Sequence, residues 1–180
     1  MTQSYLAKIK FLIVEDNAFM RTIVRRVLAA FEVGEIMEAA EGKEALKILE
    51  SFDPDIAIID WEMEPMDGIE FTKTVRTSDD SSHQFLPIIM LSAHSEINRI
   101  TEARDAGVNE FVVKPISAKV LFDRIQSVIE RPRQFVRLKE YFGPDRRRRT
   151  IMFSGPERRE MKQDEVNVMF NPEEGNPQDD

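Results

Sequence analysis

Five short apolar runs punctuate the first 115 residues: Ile9–Val14, Glu35–Ala39 (the weakest), Ile56–Ile59, Leu86–Leu91 and Phe111–Val113. Each is too short for a globular helix and rich in strand-forming side chains, which predicts strands covered on both faces. Between them the apolar residues return at helical spacing. Phe19, Ile23, Val27 and Leu28 share one face, and Ala45, Ile48 and Leu49 another. Ile69, Thr72 and Val75, then Ile97, Ile100 and Ala103, then Val120, Leu121, Ile125, Val128 and Ile129 complete the set. The order is strand then helix, five times, which predicts an α/β fold with a doubly wound parallel sheet and helices on both sides. Pro132 is expected to stop the last helix near Glu130.

In such a sheet ligands bind beyond the carboxyl ends of the strands. The residues standing there are Glu15 and Asp16 after the first strand, Asp60 after the third, Ser92 after the fourth, and Lys114 with Pro115 after the fifth. Taken singly, each has a plainer reading as a loop acid, a helix cap or a surface lysine. Their coincidence at successive strand ends brings three carboxylates, a hydroxyl and an ammonium to one edge. A hard divalent cation with oxygen ligands, Mg²⁺ above all, offsets the repulsion among such acids, and Lys114 adds a further positive charge.

Composition narrows the chemistry. The chain has 180 residues and 42% hydrophobic content, enough for one ordinary domain and an extension. It contains no cysteine and two histidines, His83 and His94, which excludes disulfides, thiolate sites and cysteine nucleophiles and leaves little for a multi-histidine metal site. No run approaches the roughly 18 apolar residues of a membrane span, and the first residues lack a signal-peptide pattern, so the cytoplasm is the expected location.

With these residues in hand the chain resembles the receiver domain of two-component response regulators, the CheY-like family, over roughly residues 8–130. Glu15 and Asp16 match the family's acidic pair, Asp60 its phosphoacceptor, Ser92 its switch hydroxyl, Phe111 its switch aromatic, and Lys114-Pro115 its Lys-Pro pair. The loop Met63-Glu64-Pro65-Met66-Asp67-Gly68 is similar to the family's M-P-x-M-D-G, with the proline one place late. The resemblance implies flavodoxin-like strand order 2-1-3-4-5 and a cis bond before Pro115. It also implies Mg²⁺ held by Asp16, Asp60 and the Glu62 backbone carbonyl, with Glu15 acting mostly through water. Phosphate would arrive on Asp60 from a histidine kinase or histidine phosphotransfer protein. Output would pass to a partner protein through the face of the fourth helix, fifth strand and fifth helix, with a phosphorylation-dependent dimer as one form of it. Glu62 and His94, each two places past a key group, would tune dephosphorylation. The implied chemistry is turnover of the protein's own phosphate, with no separate metabolite. Phosphohydrolases that resemble the haloacid dehalogenases carry their nucleophile at the first strand, and here it follows the third.

The chain divides at about residue 131, into a receiver over 1–131 and an extension over 132–180. Residues 1–130 hold 14 basic and 23 acidic residues, 131–162 hold 11 and 4, and 163–180 hold 0 and 6. The extension is thus basic and then acidic, and its composition predicts a largely irregular, flexible tail. Within it, Tyr141-Phe142-Gly143-Pro144-Asp145-Arg146-Arg147 is echoed twelve residues later by Phe153-Ser154-Gly155-Pro156-Glu157-Arg158-Arg159. This duplicated pattern makes Arg146, Arg147, Arg158 and Arg159 docking candidates. The run Arg146–Arg149 also suits nucleic acid or an anionic membrane, with the body as a scaffold. Against a nucleic-acid role, the tail lacks two consecutive amphipathic helices of the length a helix-turn-helix requires. One short amphipathic helix is expected over Gln134–Phe142.

Overall fold

The computed structural model describes residues 5–77, 83–138, 141–146 and 167–170. After a single 3₁₀ turn at Tyr5–Lys8, β1 (Phe11–Val14), β2 (Ile36–Ala39), β3 (Ile56–Asp60), β4 (Ile88–Ser92) and β5 (Glu110–Val113) form an all-parallel sheet in the order β2-β1-β3-β4-β5. The crossovers are α1 (Ala18–Ala30), α2 (Gly42–Leu49), α3 (Gly68–Thr77), α4 (Ile97–Ala106) and α5 (Ala118–Glu130). The expected topology is therefore present, and α5 ends two residues before Pro132.

Position in the sheet explains the strength of each apolar run. The central strands β1, β3 and β4 are buried at every residue, whereas the edge strands β2 and β5 are only partly covered. Alternate side chains enter two cores. Phe11, Ile13, Ile58 and Leu91 face α1 and α5, while Leu12, Val14, Ile59 and Met90 face α2, α3 and α4. Asn17, Glu41 and Ser117 cap α1, α2 and α5 with their side-chain oxygens.

Two helical faces depart from expectation. In α1 the buried residues are Val24 and Leu28, and Phe19 is 72% exposed; in α4 they are Ala103 and Ala106, and Ile97 is 83% exposed. In both helices the exposed apolar residue lies in the first turn, next to the strand-end loops, where no sheet surface lies beneath it.

The tail also differs. Residues expected to form a helix over Gln134–Phe142 instead supply β6 (Phe135–Leu138) and β7 (Tyr141–Pro144), which join β8 (Asn167–Phe170) in an antiparallel sheet of order β7-β6-β8. The physical reason is an aromatic cluster no helix would build: Phe85 packs edge-on against Phe135 (5.2 Å) and Phe142 (5.5 Å), and those two rings lie 5.8 Å apart. Of the docking candidates only Arg146 is described. Arg147, Arg158 and Arg159, the second copy of the duplicated pattern, and the irregularity expected of the last ten residues lie outside the described residues. Among the described residues, no helix is long and apolar enough to cross a membrane.

Candidate functional site

Register alone gathers the predicted residues. Val14 pairs with Ile59, Asp60 with Leu91 and Ser92 with Val113, so the residues that follow these strands emerge at one edge of the sheet. Backbone bonds continue the pairing beyond the strands, from Trp61 N to Leu91 O (2.9 Å) and from Lys114 N to Ser92 O (2.7 Å). The loop after β3 then closes tightly. Gly68 N donates to Trp61 O at 3.0 Å, and a Cβ on Gly68 would lie 2.3 Å from the Asp60 carbonyl oxygen, so only glycine fits there. The Glu64–Pro65 and Lys114–Pro115 peptide bonds are cis.

At the centre, Lys114 Nζ lies 2.8 Å from Asp60 Oδ1 and 3.0 Å from Glu15 Oε2. Both carboxylates are buried, Glu15 at 1% exposure and Asp60 at 5%, whereas Asp16 is exposed. One oxygen from each of the three lies within 4.8 Å of the others. Burial raises the pKa of Glu15 and of Asp60 above the usual carboxylate range, and the hydrogen bonds to Lys114 only partly offset it. Burial acts to lower the Lys114 pKa, but the bonds to Asp60 and Glu15 outweigh it, and the net direction is up. Three carboxylates gather here around the single Lys114 ammonium that bridges two of them. A hard divalent cation fits this all-oxygen donor set.

Around this centre stand the other candidates. Ser92 is fully buried, and its Oγ accepts from the His94 backbone N–H at 3.0 Å, so it does not cap α4, whose N-cap is Glu96. The His94 ring meets Glu62 Oε1 at 2.8 Å and Glu96 Oε2 at 3.6 Å, joining the loop after β3 to the N-cap of α4. Phe111 is half-buried and meets Trp61 edge-on at 6.4 Å. The remaining face of Trp61 carries the Arg99 guanidinium at 5.0 Å. Trp61 thus touches both β5 and α4, a role for Arg99 that helical periodicity gave no means of finding.

At the opposite end of the sheet sits a residue that sequence reasoning passed over. Arg76, in the last turn of α3, is 1% exposed, and its guanidinium donates five hydrogen bonds: two to Gly107 O, one each to Gln84 O and Leu86 O, and one to Asn109 Oδ1. Among the described residues no carboxylate forms an ion pair with it, and burial lowers its pKa to about 9. The available signal was positional, since Arg76 lies four places after Thr72 and next to Val75 on the predicted buried stripe.

Comparison with known proteins agrees with this geometry. The model for the response regulator receiver domain matches residues 11–126. The chain is 37% identical to chemotaxis protein CheY-3 of Vibrio cholerae over 122 residues, which cover 68% of this chain and 92% of that one. It is 38% identical to chemotaxis protein CheY of Pseudomonas aeruginosa over 122 residues, covering 68% and 97%. Among solved structures it is similar to chemotaxis protein CheY4 of Vibrio cholerae (TM-score 0.63, 33% identity, covering 68% of this chain and 99% of that one). A putative response regulator from Chloroflexus aurantiacus gives TM-score 0.63 and 30% identity, covering 69% and 99%.

Proposed function

The chain belongs to the response regulator receiver family, and from that premise we propose that Asp60 accepts a phosphoryl group from a histidine kinase or histidine phosphotransfer protein and that the chain then signals by contact with another protein. Residues 1–131 are the phosphoacceptor body in this reading, and 132–180 its extension. The observation that carries it is the buried Asp60 carboxylate held at 2.8 Å by Lys114 within the acid cluster.

Aspartate attacks phosphorus through a carboxylate oxygen, and the obstacle is the approach of one anion to another. Mg²⁺, held by Asp16, Asp60, the Glu62 carbonyl and, through water, Glu15, would supply the charge that removes this obstacle. Lys114 holds one phosphoryl oxygen as a point charge. Ser92 gives up its bond from His94 and donates its hydroxyl to another, and Phe111 turns into the space released. The surface of α4, β5 and α5 changes with it. That surface already exposes the apolar side chains of Ile97, Ile100, Val113 and Val120, which suit a protein partner. Catalysis on a separate metabolite has no part in this reading.

The test uses Trp61, the single tryptophan, next to Asp60. Its fluorescence is expected to change when beryllofluoride, a phosphoryl mimic, is added in the presence of Mg²⁺, and the Asp60→Asn chain should give no change. A response that survives in Asp60→Asn would place the phosphoacceptor elsewhere. The same variant has a second signature. A carboxyl whose folded pKa is raised contributes stability that is fully present below its ordinary pKa and is lost as pH rises from there through the folded value. Asp60→Asn should therefore be the more stable chain at neutral pH without Mg²⁺, and the difference should vanish as pH falls through the ordinary carboxylate range.

Glu62 and His94 form a carboxylate–imidazole pair over the path a water must take to the phosphoryl group. Changing either, as Glu62→Gln or His94→Ala, is expected to alter phosphate loss from Asp60 several-fold while phosphorylation proceeds. Radiolabel decay after phosphorylation measures it, and decay rates equal to the native chain in both variants would exclude the tuning role.

A further inference from the structure

α4 is lightly held by the body of the protein. Only Ala103 and Ala106 are buried along it, and its N-cap Glu96 makes no side-chain capping bond. Two small side chains contribute little burial energy, so the contacts at its two ends decide where the helix lies. Its first turns adjoin the acid site, with Arg99 over Trp61 and Glu96 beside His94. Its last turn is gripped by the tail.

Two contacts from the tail reach this end of the helix, and others brace the elements beside it. Gly107, the left-handed C-cap of α4 (φ 99°), is already held from α3 by two Arg76 donors to its carbonyl. The backbone of β7 presses on the same residue, since a Cβ on Gly143 would lie 2.9 Å from Gly107 Cα. Arg146 reaches Asp105 of α4 at 3.5 Å while lying 4.0 Å over the ring of Tyr141, whose hydroxyl donates to Pro144 O at 2.6 Å. Phe135 lies 5.0 Å from the Arg76 guanidinium, and Arg133 donates to Asn109 O at 3.1 Å.

We infer that residues 133–138 and 141–146 form an inhibitory strap: by clamping the C-terminal end of α4 at Gly107 and Asp105, they hold the arrangement in which Lys114 spans Glu15 and Asp60, and so oppose phosphorylation of Asp60. The inference rests on the phosphoacceptor reading above and extends it, because the output then includes the tail itself. Coupling between two sites is reciprocal. Phosphorylation loosens the strap to the same extent that the strap resists phosphorylation.

The experiment titrates the full chain with beryllofluoride at fixed Mg²⁺, following Trp61, and measures hydrogen exchange of the β6 and β7 amides with and without the mimic. Gly143→Val places a branched side chain against the Gly107 backbone and the Tyr141 hydroxyl and should lift the strap. Its half-saturating mimic concentration is expected to fall about fivefold or more, with the full fluorescence change retained. In the native chain the mimic should speed exchange at β6 and β7. Arg146→Gln removes the link to Asp105 together with the cation over the Tyr141 ring and should lower half-saturation about twofold; it decides the matter if Gly143→Val does not fold. An unchanged or raised half-saturation, in a variant whose β6 and β7 amides exchange rapidly, overturns the strap and leaves the phosphoacceptor reading standing. A native chain whose Trp61 ignores the mimic overturns both.

Discussion

Lys114→Ala is expected to bind Mg²⁺ about tenfold more tightly than the native chain and yet to lose most of its response to beryllofluoride. Both effects come from one geometry. The Lys114 ammonium lies 2.8 Å from Asp60 and 3.0 Å from Glu15, so it already neutralises carboxylate charge that a divalent cation would otherwise take up. Removing it strengthens the negative field that a divalent cation would meet among these acids. The phosphoryl mimic is an anion, however, and loses the ammonium that bridges these acids. Stability should move a third way. Without Mg²⁺, two carboxylates that are nearly inaccessible to water lose their counter-charge, a cost of about 2 kcal/mol because part of the penalty is relieved by proton uptake. Urea unfolding with and without Mg²⁺, together with Mg²⁺ titration of Trp61 fluorescence, separates the three. Unchanged Mg²⁺ affinity would show that Lys114 does not compete for the carboxylates.

The site was legible because its residues stand at strand ends, and strand ends are what short apolar runs mark best. Once Ile56–Ile59 and Leu86–Leu91 are read as neighbouring buried strands, Asp60 and Ser92 have only one edge to occupy. Pairing of Asp60 with Leu91 and of Ser92 with Val113 is the structural form of that statement. Helical faces were less legible. Periodicity fixes which residues share a face but not where the supporting sheet stops, so Phe19 and Ile97 were assigned to buried faces they do not join. The pair of His94 with Glu62 spans 32 residues of sequence and depends on the conformation of two loops, which spacing does not encode.

The tail was misread for a different reason. Gln134–Phe142 carries apolar residues at spacings that suit a helix as well as a strand, and the choice is made by partners outside the segment: Phe85 before β4, and Gly107 after α4. A single-sequence pattern weighs local propensity, whereas here a tertiary aromatic cluster and a backbone-to-backbone contact prevail.

Those partners converge on Arg76, and its removal should be the most damaging single change in the protein. Arg76→Ala is expected to cost about 3–5 kcal/mol in urea unfolding. The change withdraws five hydrogen bonds at once and leaves the carbonyl oxygens of Gly107 and Leu86 buried without them. It also opens a cavity beneath Phe135, which lies 5.0 Å from the guanidinium. Two companions apportion the loss. Arg76→Met keeps an unbranched apolar stem against Phe135 but donates nothing, so its deficit measures the hydrogen bonds. Arg76→Lys keeps the charge, but three donors on one nitrogen do not span four acceptors arranged around a planar fork, and it should recover less than half of the loss. Because α3, the α4–β5 turn and β6 meet at this side chain, the β6 and β7 amides of Arg76→Ala should exchange faster along with the global loss. A chain within 1 kcal/mol of native, with those amides still protected, would mean that the aromatic cluster holds the tail without the arginine.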